Sequence, residues 1–267
     1  MRRIMAAIAV ALSAGAAISS IRTGVCSSEC NYCSSPQHIQ TDTDRWGCVI
    51  RSMTDKQTVV HLIFSADSMF EGGEYALDVL DSTGVKASFF FTGNFLRAAH
   101  NKSIIRRAIA AGHYIGPHSN RHLLLCDWDS ERTTLISPDS MLVDLDSNYL
   151  ELSRFGIDRR YARYVLPPYE WCNRSHADAY RQAGFIPIQP TPAIQTYRDY
   201  TTPDMPEYQS SDSMLRQLFD YEKTHGLNGT NIILHLGTQD IRTDKLYRHL
   251  PAIIDTLKAR GYTLRRY

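Results

Sequence analysis

The sequence carries no surplus of either charge: 29 Lys and Arg stand against 28 Asp and Glu, a net charge of +1. A basic stripe is missing too, so no nucleic-acid partner is implied. The apolar run from Ile4 to Ala17 is too short to span a bilayer comfortably, so no transmembrane segment is expected in the mature protein. Residues 21–56 lack any clear period; rich in Ser, Thr, Cys and Asp, they read as an irregular leader. What is present constrains less. The 267 residues, 43% of them apolar, can bury a sizeable core as one large α/β domain or two small ones. The 15 Tyr suit a sugar-binding groove, but an ordinary amphipathic core accounts for them first.

Met1-Arg2-Arg3 is a short basic segment, Ile4 to Ala17 is uncharged, and Ala14, Gly15, Ala16 and Ala17 offer a cleavage site. This is the layout of a secretory signal peptide over residues 1–20, and it predicts export to the periplasm or the extracellular space. The alternative is an amphipathic first helix, but the run has no polar face. Cys26 is a candidate lipid-anchor site, although Thr23-Gly24-Val25 matches a lipoprotein box poorly. Cys26, Cys30, Cys33 and Cys48 precede the regular part of the chain. Their spacing suits zinc in a reducing compartment and disulfides after export. Cys126 and Cys172 either meet near the functional loops or serve as small buried hydrophobes.

From residue 57 a regular alternation begins. Val59–Ser65, Val85–Phe91, His113–Gly116, Tyr161–Leu166, Phe185–Ile188, Asn231–Leu236 and Gly261–Arg266 read as strands. Helices are predicted over Gly73–Thr83, Ser103–Ala111, from the Ser137-Pro138 start to Gly156, and over Ser175–Ala183, Ser213–Lys223 and Asp244–Arg260. Residues 189–209 read as a long loop. About seven strands alternating with about six helices point to a parallel β/α barrel. In such folds the chemistry sits at the C-terminal ends of the strands. The polar clusters Ser65–Asp67, His118–His122, Pro167–Glu170 and His235 fall there.

Asp67, His118 and His122 form the strongest constellation. Two imidazoles four residues apart, on one helical turn, would aim at one point. With a carboxylate they would hold a zinc-type ion with positions left for water and substrate. Alone, a His-x3-His pair in a chain of ten His is weak; its placement at a strand end strengthens it.

The stretches Leu62 to Asp67 and Gly84 to Phe90 resemble the first block of the NodB-type polysaccharide deacetylase family. Gly112 to His122 is similar to its second block, Leu166-Pro167-Pro168-Tyr169 to its third, and Ile233-Leu234-His235 to its last. The resemblance covers residues 58–267 in the family order and implies a distorted β/α barrel. It implies a divalent metal, usually zinc, held by Asp67, His118 and His122, and hydrolysis of an acetyl group, most often N-acetyl, from a polysaccharide or oligosaccharide. The Tyr169 backbone would help to bind the oxyanion, and His235 would act as general acid.

Three family features are missing. In place of the family's adjacent Asp residues, Ser65 and Ala66 precede a single Asp67 with one extra residue in the register, the Arg that orients the base Asp is Leu166, and no Asp that tunes the acid His stands around Ile186–Gln195. Base and base-holder are lost together, which is coherent, because a buried Arg without its carboxylate is costly. Glu170, where the family normally has Gly, is the candidate replacement base, and Trp171 a candidate sugar platform; a solvated loop carboxylate and a packing residue are the plain alternatives. Two rival functions stay open: a catalytically dead glycan- or metal-binding relative, and hydrolysis of another bond on the same scaffold. Neither the glycan nor the oligomeric state is legible.

Overall fold

The aperiodic residues 39–54 form a hairpin in the structure. Strands β1 (Ile39–Thr43) and β2 (Val49–Thr54) pair antiparallel. Between them Asp44 Oδ1 accepts the backbone N–H groups of Trp46 and Cys48. Every residue of β1 is exposed, so burial imposes no pattern on its sequence. This computed structural model describes residues 39–54 and 57–267. The expected signal peptide and Cys26, Cys30 and Cys33 lie outside the described residues.

The rest follows the predicted alternation with one short helix, α2, added: β3 (Val59–Ala66), α1 (Gly73–Thr83), β4 (Ser88–Phe91), α2 (Gly93–Arg97), α3 (Lys102–Ala110), β5 (Tyr114–Pro117), α4 (Pro138–Ser153), β6 (Tyr164–Val165), α5 (Arg174–Gln182), β7 (Ile186–Pro187), α6 (Ser211–His225), β8 (Thr230–His235), α7 (Leu250–Ala259) and β9 (Thr263–Arg265). Helix α4 starts as its sequence requires, with Ser137 Oγ accepting the Ser140 N–H and Pro138 in the first turn. Helix α1 ends at Gly84, whose φ of 66° is left-handed and disfavours a side chain. Strand β3 is buried along its whole length, which explains its nearly unbroken apolar run.

The main sheet runs β1-β2-β8-β3-β4-β5, with β9 beside the start of β3, and β6 and β7 pair separately. Strands β8, β3, β4 and β5 are parallel, and β2 is antiparallel to β8. Isolated backbone bonds, Leu166 N–H to Pro117 O and Gln189 N–H to Val49 O, link the β6-β7 pair to its neighbours. The result is a distorted barrel, mixed at the hairpin edge. Phe64, Phe89, Phe91 and Phe95 fill its core with Leu62, Ile63 and Ile233.

His61 and His113 are buried in this core, and burial pushes both imidazoles down to about 4. Above pH 6.5, the ordinary histidine value, both are neutral in the folded and unfolded chain. Between pH 6.5 and 4 the unfolded chain binds protons that the folded chain refuses, so stability falls as pH falls. The melting temperature should therefore drop between pH 7 and pH 4.5; a flat or rising curve there would contradict the burial of these two rings.

Candidate active site

The polar residues gather at the C-terminal ends of β3, β5, β6 and β8. Asp67 directly follows β3. Its Oδ1 accepts from Thr92 Oγ1 at 2.9 Å and from Asn94 Nδ2 at 3.0 Å. Thr92 also caps α2, accepting the Phe95 N–H, so one hydroxyl fixes both the helix start and the carboxylate. Beyond β8, Gly237 packs against the loop carrying Asp67. A β-carbon there would stand 2.1 Å from the Met69 carbonyl carbon, so only glycine permits the approach.

His118 directly follows β5. Its Nδ1 faces the Leu166 carbonyl oxygen at 2.8 Å and must carry the proton, leaving the Nε2 lone pair available. His122 Nε2 lies 3.2 Å from His118 Nε2. Two ligands roughly 2.0–2.1 Å from one tetrahedral ion stand about 3.3 Å apart, so the pair fits such an ion. Burial holds both imidazoles below their ordinary value, keeping them in the neutral form that binds metal; the Asp67 charge partly opposes this at His122. No helical turn produces the convergence, contrary to the sequence expectation. Ser119 and His122 adopt left-handed φ of 68° and 53°, and Ser119 Oγ accepts the His122 N–H. The Gly93 and Asn94 N–H groups bond to the Ser119 and Asn120 carbonyls, and Asp144 of α4 accepts the Asn120 N–H at 2.6 Å.

Glu170 ends a short turn over Pro168–Glu170 after β6. It is buried, not a solvated loop residue, and its Oε1 lies 3.8 Å from His118 Nε2 and 3.5 Å from Ser65 Oγ. Burial raises its carboxyl above the ordinary value and the Asp199 charge adds to that, while His235 and Ser65 oppose it. Tyr169 and Glu170 both adopt left-handed φ, 60° and 50°. Each such non-glycine residue costs roughly 1 kcal/mol or more. Five described non-glycine residues have positive φ, and four of them (Ser119, His122, Tyr169 and Glu170) ring this site. Strain is concentrated where the polar groups converge.

His235 closes β8. Its Nδ1 bonds to Asp199 Oδ1 at 2.6 Å, and its backbone N–H to Asp199 Oδ2 at 2.9 Å. Burial would lower its basicity, but the charge and hydrogen bond of Asp199, with the Glu170 charge behind them, outweigh burial and raise it to about 9. Asp199 escaped the sequence reading because it lies in the long loop, beyond the Ile186–Gln195 window. The fully buried Arg242 braces that loop through the Thr201 and Gln209 carbonyls. An Asp following the short Gln195–Arg198 turn had no motif to mark it.

The third tryptophan face differs from expectation. Trp171 lies under the Arg132 guanidinium at 3.4 Å, and its Nε1 donates to the Asp127 carbonyl. Trp128 and Tyr169 are instead the exposed rings, 57% and 43% accessible and 5.8 Å apart, and Tyr169 stands 4.3 Å from the His122 ring. Thus His118, His122 and Glu170 meet directly, and His235 joins them electrostatically. Asp67 reaches His122 through its charge. Among the described residues no three His, Cys, Asp or Glu side chains stand as a ready ligand set.

A family model described as polysaccharide deacetylase matches residues 37–188. A chitin deacetylase of Colletotrichum lindemuthianum is 25% identical over 199 residues, covering 73% of this chain and 73% of that protein. The solved Xyl-CE4 domain of a multidomain xylanase from a Trinervitermes trinervoides hindgut metagenome superposes with a TM-score of 0.61 at 22% identity, covering 79% of this chain and 88% of that one. A CE4 family pseudoenzyme from Bacillus anthracis gives a TM-score of 0.61 at 18% identity, over 83% of this chain and 67% of that one.

Proposed function

Since the chain belongs to the polysaccharide deacetylase family, we propose that it is an exported, metal-dependent hydrolase that removes acetyl groups, N-acetyl groups in particular, from a polysaccharide or oligosaccharide. The observation that carries this reading is the buried meeting of His118, His122 and Glu170 beside an Asp199-paired His235.

His118 and His122 would hold a divalent cation, usually zinc in this family, with Asp67 as the third ligand. When bound, the cation supplies Lewis acidity to the acetyl carbonyl. Glu170 takes the proton from a water molecule as its oxygen attacks the carbonyl carbon. The Tyr169 backbone N–H donates to the developing oxyanion. As the carbon–nitrogen bond breaks, His235 delivers its proton to the leaving amine, and acetate departs. Asp199 keeps that proton on His235 until it is needed. Tyr169 and Trp128 offer the sugar rings their open faces, and Trp171 supports Trp128 from behind at 5.3 Å. The signal-like N-terminus supports action outside the cytoplasm. No described helix is long and apolar enough to cross a membrane.

The wild-type chain should carry one zinc per molecule, and His118→Ala or His122→Ala should abolish that stoichiometry with circular dichroism unchanged. Elemental analysis tests this, and zinc retained by His118→Ala would refute the ligand assignment. Acetate release from acetylated chito-oligosaccharides with added zinc tests the activity. The missing base Asp before Asp67 and the Leu166 that stands for its Arg partner favour a second reading, a non-catalytic glycan-binding relative. That reading prevails if the zinc-loaded protein binds the oligosaccharides and releases no acetate.

A further inference from the structure

Cys48 lies at the end of the hairpin turn before β2, and Cys172 lies two residues after Glu170. They are 124 residues apart in sequence, yet their Sγ atoms stand 3.2 Å from each other, and both residues are fully buried. In the structure both are thiols. A disulfide needs roughly 2.05 Å between the sulfurs, so closure asks for a movement of about 1 Å and no change of fold. The surroundings hold both residues in place. Asp44 Oδ1 accepts the Cys48 N–H, Arg132 Nη1 donates to the Cys172 carbonyl, and Gln189 Nε2 lies 3.9 Å from Cys172 Sγ.

We propose that Cys48 and Cys172 form a disulfide that ties the N-terminal hairpin to the loop carrying Tyr169 and Glu170, and that Cys126 stays a thiol. The reaction is exchange with a small-molecule or protein disulfide. A thiolate of one cysteine attacks the donor and releases one donor thiol. The second cysteine then attacks the mixed disulfide and releases the other. Two protons and two electrons pass from the pair to the donor. In the folded chain the nearby Cys172 thiol and burial hold the Cys48 thiol well above its ordinary pKa, which slows exchange at that sulfur. Cys126 is also fully buried, and Leu125 beside it engages the Leu135 and Ile136 N–H groups.

The bond braces a strained turn. Tyr169 and Glu170 hold left-handed backbones immediately before Trp171-Cys172, and a covalent link at Cys172 keeps that segment from relaxing. Closing a loop of this length removes much of the freedom of the unfolded chain.

The full chain, refolded with reduced and oxidised glutathione, is denatured in an alkylating agent without reductant and mapped by mass spectrometry. One cross-linked peptide pair holding Cys48 and Cys172 is expected, with Cys126 alkylated only after denaturation. Recovery of Cys48 or Cys172 as an alkylated thiol, or either linked to Cys126, Cys26, Cys30 or Cys33, overturns the pairing. The oxidised chain should melt roughly 10 °C above the reduced one. Equal melting temperatures overturn the brace. A Cys126→Ser variant should keep both the linked peptide and the melting difference, and losing them in that variant also overturns the assignment. Every readout is independent of acetate release, so a failed deacetylase reading and a failed disulfide are told apart.

Discussion

Glu170→Gln should lower acetate release by about two orders of magnitude or more, roughly 2.7 kcal/mol of transition-state stabilisation, with zinc content and fold retained. Attack by water sheds a proton, and an acceptor at hydrogen-bond range speeds that step. Ser65 and Ala66 precede the single Asp67 where the family has adjacent Asp residues, and neither has useful basicity. Asp67 is engaged by Thr92 and Asn94. Glu170 is the carboxylate whose oxygen stands 3.8 Å from the His118 ring, and burial raises its carboxyl towards the operating range of a base. Gln keeps the shape and removes only the charge and the basicity, and it relieves a buried carboxylate, so stability should hold or rise. The pH profile gives a second signature. The Glu170 charge helps to raise His235, so its removal should also shift the alkaline limb of activity downward. Wild-type turnover by Glu170→Gln would remove Glu170 from the mechanism.

His235→Ala should lower turnover by about two to four orders of magnitude with zinc retained. The ring is presented by a buried strand, and Asp199 keeps it protonated to about pH 9, so the acid is loaded at any neutral working pH. Alanine leaves Asp199 buried without its ring partner, so some destabilisation is expected. His235→Gln, which can still donate to Asp199, separates that effect from the chemistry and should show the same fall in rate. Asp199→Asn tests the pairing. Without the aspartate charge, burial dominates and the His235 value falls, so activity is lost at lower pH than in the wild type. An unchanged rate in His235→Gln would reduce this residue to a structural one.

How far the site was legible depended on how locally each residue is specified. His118, His122 and His235 stand next to apolar runs that only a buried strand satisfies, so sequence placed them at strand ends. Helix starts at Ser137-Pro138 and the stop at Gly84 are likewise local, because a cap is a bond within one turn. The β1–β2 hairpin was not visible, since an exposed strand held by its backbone ladder and an Asp44 turn needs no apolar period. Trp171 looked like a sugar platform by adjacency, and packing under Arg132 instead left Trp128 exposed.

The sequence by itself determined the family, the β/α alternation and which residue types stand at the mouth of the barrel, because hydrophobic period, caps and motif order are written within a few residues of one another. Only the tertiary structure decided which of those residues meet. The Asp199–His235 pair, the turn that buries Glu170 against His118, and the contact of Cys48 with Cys172 all join segments distant in the chain. Such contacts follow from how barrel strands bring remote loops to one rim and from backbone strain at Tyr169 and Glu170, and neither leaves a period in the sequence.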